Sequence, residues 1–264
     1  MTDPNEGLIK QLAGKKGLII GIANDQSIAY GCAKAFRNSG AELAVTYLND
    51  KARPHSEPLA QKLDVDPNLF LPCDVREEGQ LSAVFDAIAQ RWGKLDFVLH
   101  SIAFAPRDDL HGRLTDSSRD GFTMAMDVSC HSFIRTARLA EPLMNDGGTL
   151  FAMTYYGAEK VVEHYNLMGP VKAALEASVR YLAFELGGKN IRVHAISPGP
   201  IKTRAASGID RFDELINKAT ERAPIQSLVS IEDVGRATAL LATDAARLIT
   251  GETLYVDGGY HIVG

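Results

Sequence analysis

The sequence GLIIGIANDQSIAYG (residues 17–31) joins an apolar run to an amphipathic one, with a glycine between them. A buried strand, a glycine turn and a helix form the usual cradle for nucleotide phosphates, because the helix amino terminus offers free N–H groups. The common fingerprint is G-x-G-x-x-G, whereas the glycine that follows Gly21 here is Gly31. Alone, the stretch is compatible with a phosphate loop or with an ordinary capped helix. Ser27 is placed to be the N-cap, and its hydroxyl could equally face a phosphate.

Short apolar runs alternate with helical patterns along almost the whole chain. Most runs are continuously apolar, as expected of parallel strands buried on both faces of a sheet. Helical patterns at 27–40, 80–93 and 172–188 lie between them, and the first and last end in glycine. Strands are predicted at 17–22, 42–48, 69–73, 95–100, 149–154, 191–197 and 253–256. We therefore expect a single-domain, doubly wound (Rossmann-type) parallel α/β sheet of about seven strands with helices on both faces.

Two segments, 104–119 and 198–230, interrupt the alternation, and the second contains the helical pattern RFDELINKATERA at 211–223. Long excursions at the carboxyl ends of strands are where such sheets build substrate sites. The simplest organisation is one domain over 1–264 with a substrate-binding excursion at about 198–230.

The composition argues against several classes of protein. A net charge of -5 over 264 residues gives no support to nucleic-acid binding. Cys32, Cys73 and Cys130 are widely separated, which argues against disulfides or a zinc site and fits a reducing compartment. The first residues are acidic and polar, unlike a secretory signal, and no apolar run approaches the roughly 18 residues that span a bilayer. We expect a cytoplasmic protein without a metal, membrane or nucleic-acid partner.

Five segments together resemble one family. They are GIANDQSIAYG (21–31), HSIAFAP (100–106), YNLMGPVKAALEASVRYLA (165–183), AISPGPIKTRAASGI (195–209) and TLYVDGG (253–259). In order and spacing they resemble the bacterial enoyl-acyl-carrier-protein reductases, a divergent branch of the short-chain dehydrogenase/reductase superfamily. In that branch a longer loop ending in Ser-Ile-Ala replaces the glycine-rich turn. The resemblance therefore implies a phosphate cradle with Gly21, Ser27 and Ile28 at cofactor-binding positions.

The chain offers two candidate tyrosine–lysine pairs. Tyr156 and Lys160 match the Tyr-x-x-x-Lys pattern of ordinary short-chain reductases, in which a Pro-Gly follows the lysine at a characteristic distance. Pro198 lies 26 residues after Lys172 and 38 after Lys160, and the spacing of those enzymes favours Lys172. We therefore interpret Tyr165 and Lys172 as the working pair and Tyr156–Lys160 as a decoy.

Tyr165 and Lys172 are seven residues apart, which is two helical turns, so we expect both side chains on one helix face about 10 Å apart. A longer separation than in ketone reductases suits an enoyl thioester, where hydride reaches C3 and negative charge appears on the thioester oxygen. A phenol there stabilises the enolate. Lys172 is expected to bind the nicotinamide ribose and to lower the tyrosine's pKa. By resemblance, Tyr155 is a second catalytic tyrosine that faces the substrate beside Tyr165.

The resemblance assigns further binding positions. Asp74 and Val75 match an adenine-contacting pair, although a helix N-cap explains Asp74 nearly as well. Ala105 matches a substrate-contacting position, and Lys202, Arg204 and Arg211 lie on a loop that could attract an acidic carrier protein. The positions expected on the nicotinamide side are Ser101, Ile102, Ile201 and Thr203.

Leu48 departs from the family pattern. It falls at the end of the second predicted strand, where an acid or a glutamine commonly holds the adenine ribose. Asp50 could substitute, whereas Lys51 and Arg53 could meet a 2′-phosphate. We expect NADH as the cofactor, with NADPH left open.

The resemblance implies reduction of a trans-2-enoyl chain on acyl carrier protein with NADH, the last reductive step of fatty-acid elongation, by a homotetramer. A short-chain carbonyl reductase acting on 3-oxoacyl groups is the main alternative. The Tyr165–Lys172 spacing counts against it, as does the presence of Met153 and Thr154, and not a serine, a dozen residues before Tyr165. A non-catalytic nucleotide sensor is the other alternative, but it would need neither Tyr165 nor Lys172.

Overall fold

The structure, a computed structural model, describes residues 11–201, 203 and 212–263, without the side chains of 212–215 and 218. Its one sheet has seven parallel strands in the order β3-β2-β1-β4-β5-β6-β7. The strands are β1 (Lys16–Ile20), β2 (Glu42–Tyr47), β3 (Phe70–Pro72), β4 (Phe97–His100), β5 (Gly148–Met153), β6 (Ile191–Pro198) and β7 (Thr253–Val256). The predicted doubly wound sheet is confirmed, with its strand order reversing between β1 and β4.

Helices connect the strands. They are α1 (Ile28–Asn38), α2 (Arg53–Lys62), α3 (Gln80–Trp92), α4 (Arg107–His111), α5 (Arg119–Met126), α6 (Ser132–Ala140), α7 (Met168–Leu186), α8 (Phe212–Arg222) and α9 (Ile231–Ala242). A π-helical turn, Asp127–His131, links α5 to α6. Gly40 follows α1 with positive φ, as its glycine stop predicts, and Gly93 follows α3 in the same way. The helix α7 ends at Leu186 with Gly187 as its C-cap, as its glycine stop predicts, and the left-handed residue follows only at Asn190, after a short 3₁₀ turn.

The central strands are buried on both faces, which explains their continuous apolar sequences. One hydrophobic cluster lies under α1 and α9, where Phe36 stacks on Phe97 with ring centroids 4.2 Å apart. The other cluster packs α3, α6 and α7 against the opposite face. Both halves of the core therefore rest on the same sheet.

Gly31 belongs to the core and not to a phosphate loop. A Cβ on Gly31 would lie 2.2 Å from the carbonyl oxygen of Ile231, the first residue of α9. A Cβ on Gly235 of α9 would lie 2.3 Å from the carbonyl oxygen of Gly31. Glycine at both positions lets the two helix backbones touch.

The two predicted excursions lie beyond the carboxyl ends of β4 and β6. The first holds α4 and the beginning of α5, and the second holds α8, as its helical pattern predicts. Lys202, Arg204 and Arg211 lie outside the described residues. The carboxyl ends of β1, β4, β5 and β6 meet below these excursions, which is where ligands bind in open α/β sheets.

Candidate active site

A cavity of about 360 Å³ opens at the carboxyl edge of the sheet, between the ends of β4, β5 and β6. Its lining combines apolar side chains with a few polar ones, as small-molecule sites usually do. Nine residues predicted from the sequence line it together: Ile28, Ser101, Ile102, Ala105, Tyr155, Tyr165, Lys172, Ile201 and Thr203. The strand order thus brings residues as distant in sequence as Ile28 and Thr203 into one cavity.

The other five predicted residues do not line this cavity. Gly21, Ser27, Leu48, Asp74 and Val75 lie beyond the carboxyl ends of β1, β2 and β3, at the same edge of the sheet. Gly21 has φ of +114°, and a Cβ there would lie 2.1 Å from the Ser101 carbonyl oxygen. Only glycine allows the ends of β1 and β4 to approach so closely.

Ser27 occupies the N-cap position of α1, but its side chain does not cap the helix. The hydroxyl donates to the Asn24 carbonyl oxygen at 2.6 Å instead. The N–H groups of the first turn of α1 therefore receive no cap from this side chain, and they face the edge where a phosphate would bind.

Asp74 is not a helix N-cap, because Gly79 holds that position for α3. Its carboxylate instead accepts hydrogen bonds from the Arg76 guanidinium, at 2.6 Å for Nη2 to Oδ2, and from the Arg76 backbone N–H. The bond to Arg76 holds the pKa of Asp74 below its ordinary value, against the effect of burial. The adjacent Val75 is buried, and its carbonyl oxygen accepts from Arg135 at 3.0 Å. This arginine pairing was not predicted from the sequence.

Leu48 lies one residue beyond β2 and is 49% exposed. Asp50 and Lys51 beside it are also exposed. Arg53 pairs with Glu57 one helical turn away and lies over the Tyr47 ring. Leu48 therefore lies at the end of β2, as predicted from the sequence, and its side chain offers no polar atom for an adenine ribose.

Tyr165 is not on the helix that carries Lys172, so the predicted shared helix face is wrong. The helix α7 begins at Met168, and Tyr165 lies in the preceding turn, between His164 with φ of 65° and Asn166 with φ of 38°. The left-handed residues on either side of Tyr165 change the direction of the chain, and the buried tyrosine lines the cavity.

Lys172 is buried in the first half of α7 and donates a hydrogen bond from Nζ to the Met153 carbonyl oxygen at 2.6 Å. Burial lowers the pKa of Lys172 from 10.5 to about 8. One of its three N–H groups is directed at the end of β5, and the side chain lines the cavity.

The two tyrosines are in contact, with ring centroids 4.9 Å apart. Burial raises the pKa of both phenols above the ordinary value; Tyr155 raises the pKa of Tyr165 further, and Tyr260 and Asp257 raise the pKa of Tyr155. The expected lowering of the Tyr165 pKa by Lys172 is therefore wrong for this structure, in which both tyrosines are neutral. The Tyr155 hydroxyl is buried and has no hydrogen-bond partner among the described residues.

The decoy pair lies elsewhere. Lys160 is exposed, and Tyr156 belongs to a short 3₁₀ turn where its ring meets Tyr255 and Tyr260. Neither residue lines the cavity.

Two features of the site were missed by sequence reasoning. A Cβ on Gly157 would lie 2.4 Å from Cδ1 of Tyr165, so this glycine makes room for the ring. Thr154 lines the cavity and donates from its hydroxyl to Glu176 at 2.7 Å. Their signal was weak: a glycine soon after a strand, and a glutamate one turn beyond the candidate lysine.

No group of His, Cys, Asp or Glu side chains within the described ranges could hold a metal ion. His100 is fully buried at the end of β4 and lies 2.7 Å from Ser132 Oγ through Nε2. Burial lowers the pKa of His100 to about 3, so this imidazole is neutral.

Comparison with known proteins extends these findings. The family model described as Enoyl-(Acyl carrier protein) reductase matches residues 21–261. Enoyl-[acyl-carrier-protein] reductase [NADH] 1 of Rhizobium meliloti is 51% identical over 253 residues, covering 95% of this chain and 92% of the relative. A Bacillus cereus enoyl-[acyl-carrier-protein] reductase [NADH] is 45% identical, covering 96% and 99% of the two chains.

Solved structures show the same likeness. The reductase of Anaplasma phagocytophilum, in complex with NAD, is 48% identical and superposes with a TM-score of 0.93, covering 97% of each chain. The Bacillus cereus reductase with NADP+ and indole naphthyridinone is 44% identical with a TM-score of 0.94, covering 97% of this chain and all of that one, 100%.

Proposed function

The chain belongs to the enoyl-(acyl carrier protein) reductase family, and from this premise we propose which of its residues carry out the reaction. It is an NADH-dependent enoyl-[acyl-carrier-protein] reductase, in which the bound cofactor supplies a hydride to C3 of a trans-2-enoyl thioester. This is the last reductive step of fatty-acid elongation. The substrate is carried by acyl carrier protein.

The residues of the carboxyl edge fit a nicotinamide cofactor. Lys172 is a buried ammonium that directs one N–H to Met153 and retains others for ribose hydroxyls. The first turn of α1, at Ile28 and Ala29, would offer N–H groups to the pyrophosphate, whereas those of Tyr30 and Gly31 donate to the Ser27 carbonyl oxygen. Gly21 brings the backbone of this turn close to Ser101. Asp74 and Val75 would hold the adenine, and Ser101, Ile102, Ile201 and Thr203 would hold the nicotinamide.

Tyr165 is the proposed donor to the thioester oxygen. Negative charge develops on that oxygen as C3 gains hydride, and a preorganised donor in a water-poor cavity stabilises it most in the transition state. Because burial keeps the phenol protonated, Tyr165 offers an O–H to the oxygen without bringing a charge of its own. Its contact with Tyr155 carries this assignment, since it places two neutral phenols side by side in one cavity.

Tyr155 is the proposed partner of Tyr165 in orienting the acyl thioester. Its hydroxyl is buried without a partner among the residues described, which is costly unless a ligand completes it. Ala105, which lines the same cavity, is the proposed contact for the acyl chain.

We further propose that the chain acts as one domain, in the cytoplasm, as a homotetramer. A single sheet supports one domain, and no helix among the described residues is long and apolar enough to cross a membrane. Tyr181 and Phe184 on α7 are 73% and 89% exposed, and Leu248 is 82% exposed. Contiguous apolar surface marks protein contacts, and Tyr181 and Phe184 lie three residues apart on one face of α7, so they support assembly with further copies. Light scattering of the wild type and of Phe184→Glu tests this assembly.

The reaction is tested by following NADH oxidation with crotonyl and acetoacetyl thioesters side by side. The expected result is turnover of the trans-2-enoyl compound and not of the 3-oxoacyl compound. Preferential reduction of the 3-oxoacyl compound would show a carbonyl reductase and overturn the proposal. The engagement of the Thr154 hydroxyl by Glu176 also argues against a carbonyl reductase that needs a hydroxyl donor at that position.

A further inference from the structure

Two neighbouring residues at the end of β5 are each held by a side chain of α7. Lys172 donates to the Met153 carbonyl oxygen at 2.6 Å, and the Thr154 hydroxyl donates to Glu176 Oε1 at 2.7 Å. Lys172 and Glu176 are four residues apart on the helix and therefore lie on the same face, one turn from each other. The strand end is thus fastened to α7 at two successive residues.

We propose that Glu176, through Thr154, is a positioning residue that fixes the two tyrosines of the cavity. The proposal rests on the assignment of Tyr155 and Tyr165 to the thioester. It gives a role to a buried carboxylate that neither binds the cofactor nor touches the reacting atoms.

The Thr154–Glu176 hydrogen bond is protected from water. Thr154 is 5% exposed and Glu176 is 9% exposed. Burial raises the pKa of Glu176, while the Thr154 hydroxyl, Arg180 and Lys172 act in the opposite direction. Hydrogen bonds to a carboxylate in a buried setting are strong and directional. The Thr154 hydroxyl proton is directed at Glu176. The Thr154 side chain therefore orients the end of β5 and does not donate to the substrate.

The position of Thr154 determines that of Tyr155. The Thr154 backbone N–H donates to the Ile196 carbonyl oxygen at 2.8 Å, so both its backbone and its side chain are held. Tyr155 follows directly in an extended conformation and packs against Tyr165. A shift of Thr154 therefore passes to Tyr155 and, through the ring contact, to Tyr165. Displacement of a catalytic group by about 1 Å can cost on the order of a hundredfold in rate.

The test compares conservative and disruptive variants of the same pair. Thr154→Ser keeps the hydroxyl and Glu176→Gln keeps an acceptor oxygen, so both should keep kcat within about threefold of the wild type. Thr154→Val and Glu176→Ala each remove the hydrogen bond and should lower kcat about tenfold. NADH affinity, measured by fluorescence titration, should change less than about twofold, because Lys172 retains its own bond to Met153.

A double-mutant cycle separates this role from general destabilisation. The Thr154→Val/Glu176→Ala double variant should lose no more kcat than either single variant, since one bond is broken in all three. Thr136→Val is the matched control: Thr136 is fully buried and its hydroxyl bonds only within α6, so kcat should be unchanged. Thermal unfolding of every variant confirms that it is folded.

The outcomes distinguish this proposal from the proposed function. Full kcat in Thr154→Val, additive losses in the double variant, or a loss of NADH affinity in place of kcat would each overturn the positioning role alone. Preference of the wild type for a 3-oxoacyl thioester would overturn the proposed function instead. Collapse of Glu176→Gln together with normal Thr154→Val would assign the effect to the Glu176 charge and reject the hydrogen bond.

Discussion

The ring of Tyr155 lies edge-on against the ring of Tyr165, with centroids 4.9 Å apart and ring planes at 65°. Burial keeps both phenols protonated. Only the Tyr155 hydroxyl, of these two, is buried without a hydrogen-bond partner among the described residues. The two phenols therefore carry the same charge. They differ in the hydrogen-bonding free energy that each hydroxyl would gain from a bound substrate.

Tyr165→Phe should lower kcat and kcat/KM together by about a hundredfold and leave KM nearly unchanged. Loss of a donor that acts mainly on the transition state has this signature, and one such donor contributes on the order of 3 kcal/mol. NADH binding should change little because it depends on Lys172. Steady-state kinetics with one enoyl thioester and a fluorescence titration with NADH make the measurement.

Tyr155→Phe should be milder in activity and should also stabilise the free enzyme. The ring and its contact with Tyr165 remain, whereas a buried hydroxyl without a partner is removed, which favours the folded state by about 1 kcal/mol. Thermal unfolding in the absence of ligands measures this gain. Full activity in Tyr165→Phe with collapse in Tyr155→Phe would move the donor role to Tyr155.

Gly157→Ala should displace the Tyr165 ring. The added Cβ would lie 2.4 Å from Cδ1 and 2.9 Å from Cε1 of that ring, so one of the two must move. We expect kcat to fall at least about tenfold, because the donor depends on its position. The matched control is Gly188→Ala, where a Cβ meets nothing within 4 Å and activity should be unchanged. Equal activity of the two variants would contradict the role given to Gly157.

The sequence predicted the sheet well because its strands are buried on both faces. Continuous apolar runs arise directly from that burial, and every predicted strand overlaps an observed one. Strand ends in a doubly wound sheet meet at one edge, so the predicted residues after β4, β5 and β6 came together in the cavity. Topology, more than any single motif, made these predictions succeed.

The path of the chain around Tyr165 was not predictable in the same way. A seven-residue spacing suggests two helical turns, but His164 and Asn166 adopt positive φ, which only a small share of non-glycine residues do. Arg76 pairs with Asp74 from two positions away, a spacing that carries no recognisable pattern. Such local conformations depend on the packing around them and not on periodicity.

Lys172→Ala should weaken NADH binding and activity together, whereas Lys160→Ala should leave both almost intact. Lys172 is buried in the cavity and donates to Met153, but Lys160 is exposed away from the cavity. Fluorescence titration with NADH and steady-state kinetics of both variants decide between the two lysines. The reverse pattern would show that Tyr156–Lys160 is the working pair.

Leu48→Gln should improve NADH affinity by about 1 kcal/mol, the net contribution of a typical hydrogen bond. Leu48 lies just beyond β2 and is 49% exposed, so a glutamine fits there without repacking the core. Isothermal titration with NADH and NADPH measures the change. A gain for NADPH alone, or no gain, would mean that another residue already holds the adenine ribose.

Lys172 should also make the stability of the free enzyme depend on pH in the alkaline range. Burial lowers its pKa in the folded state from 10.5 to about 8. Between these two values the unfolded chain binds this proton and the folded chain does not, so the contribution of Lys172 to stability rises with pH across that window.

Lys172→Met removes the titration, whereas the raised pKa values of the tyrosines act equally in both proteins. We expect the free energy of unfolding of the wild type relative to Lys172→Met to increase by about 2 kcal/mol from about pH 7 to about pH 9.5. Urea unfolding of both proteins at the two pH values measures it. A difference that stays constant with pH would show that Lys172 keeps its ordinary pKa in the folded protein.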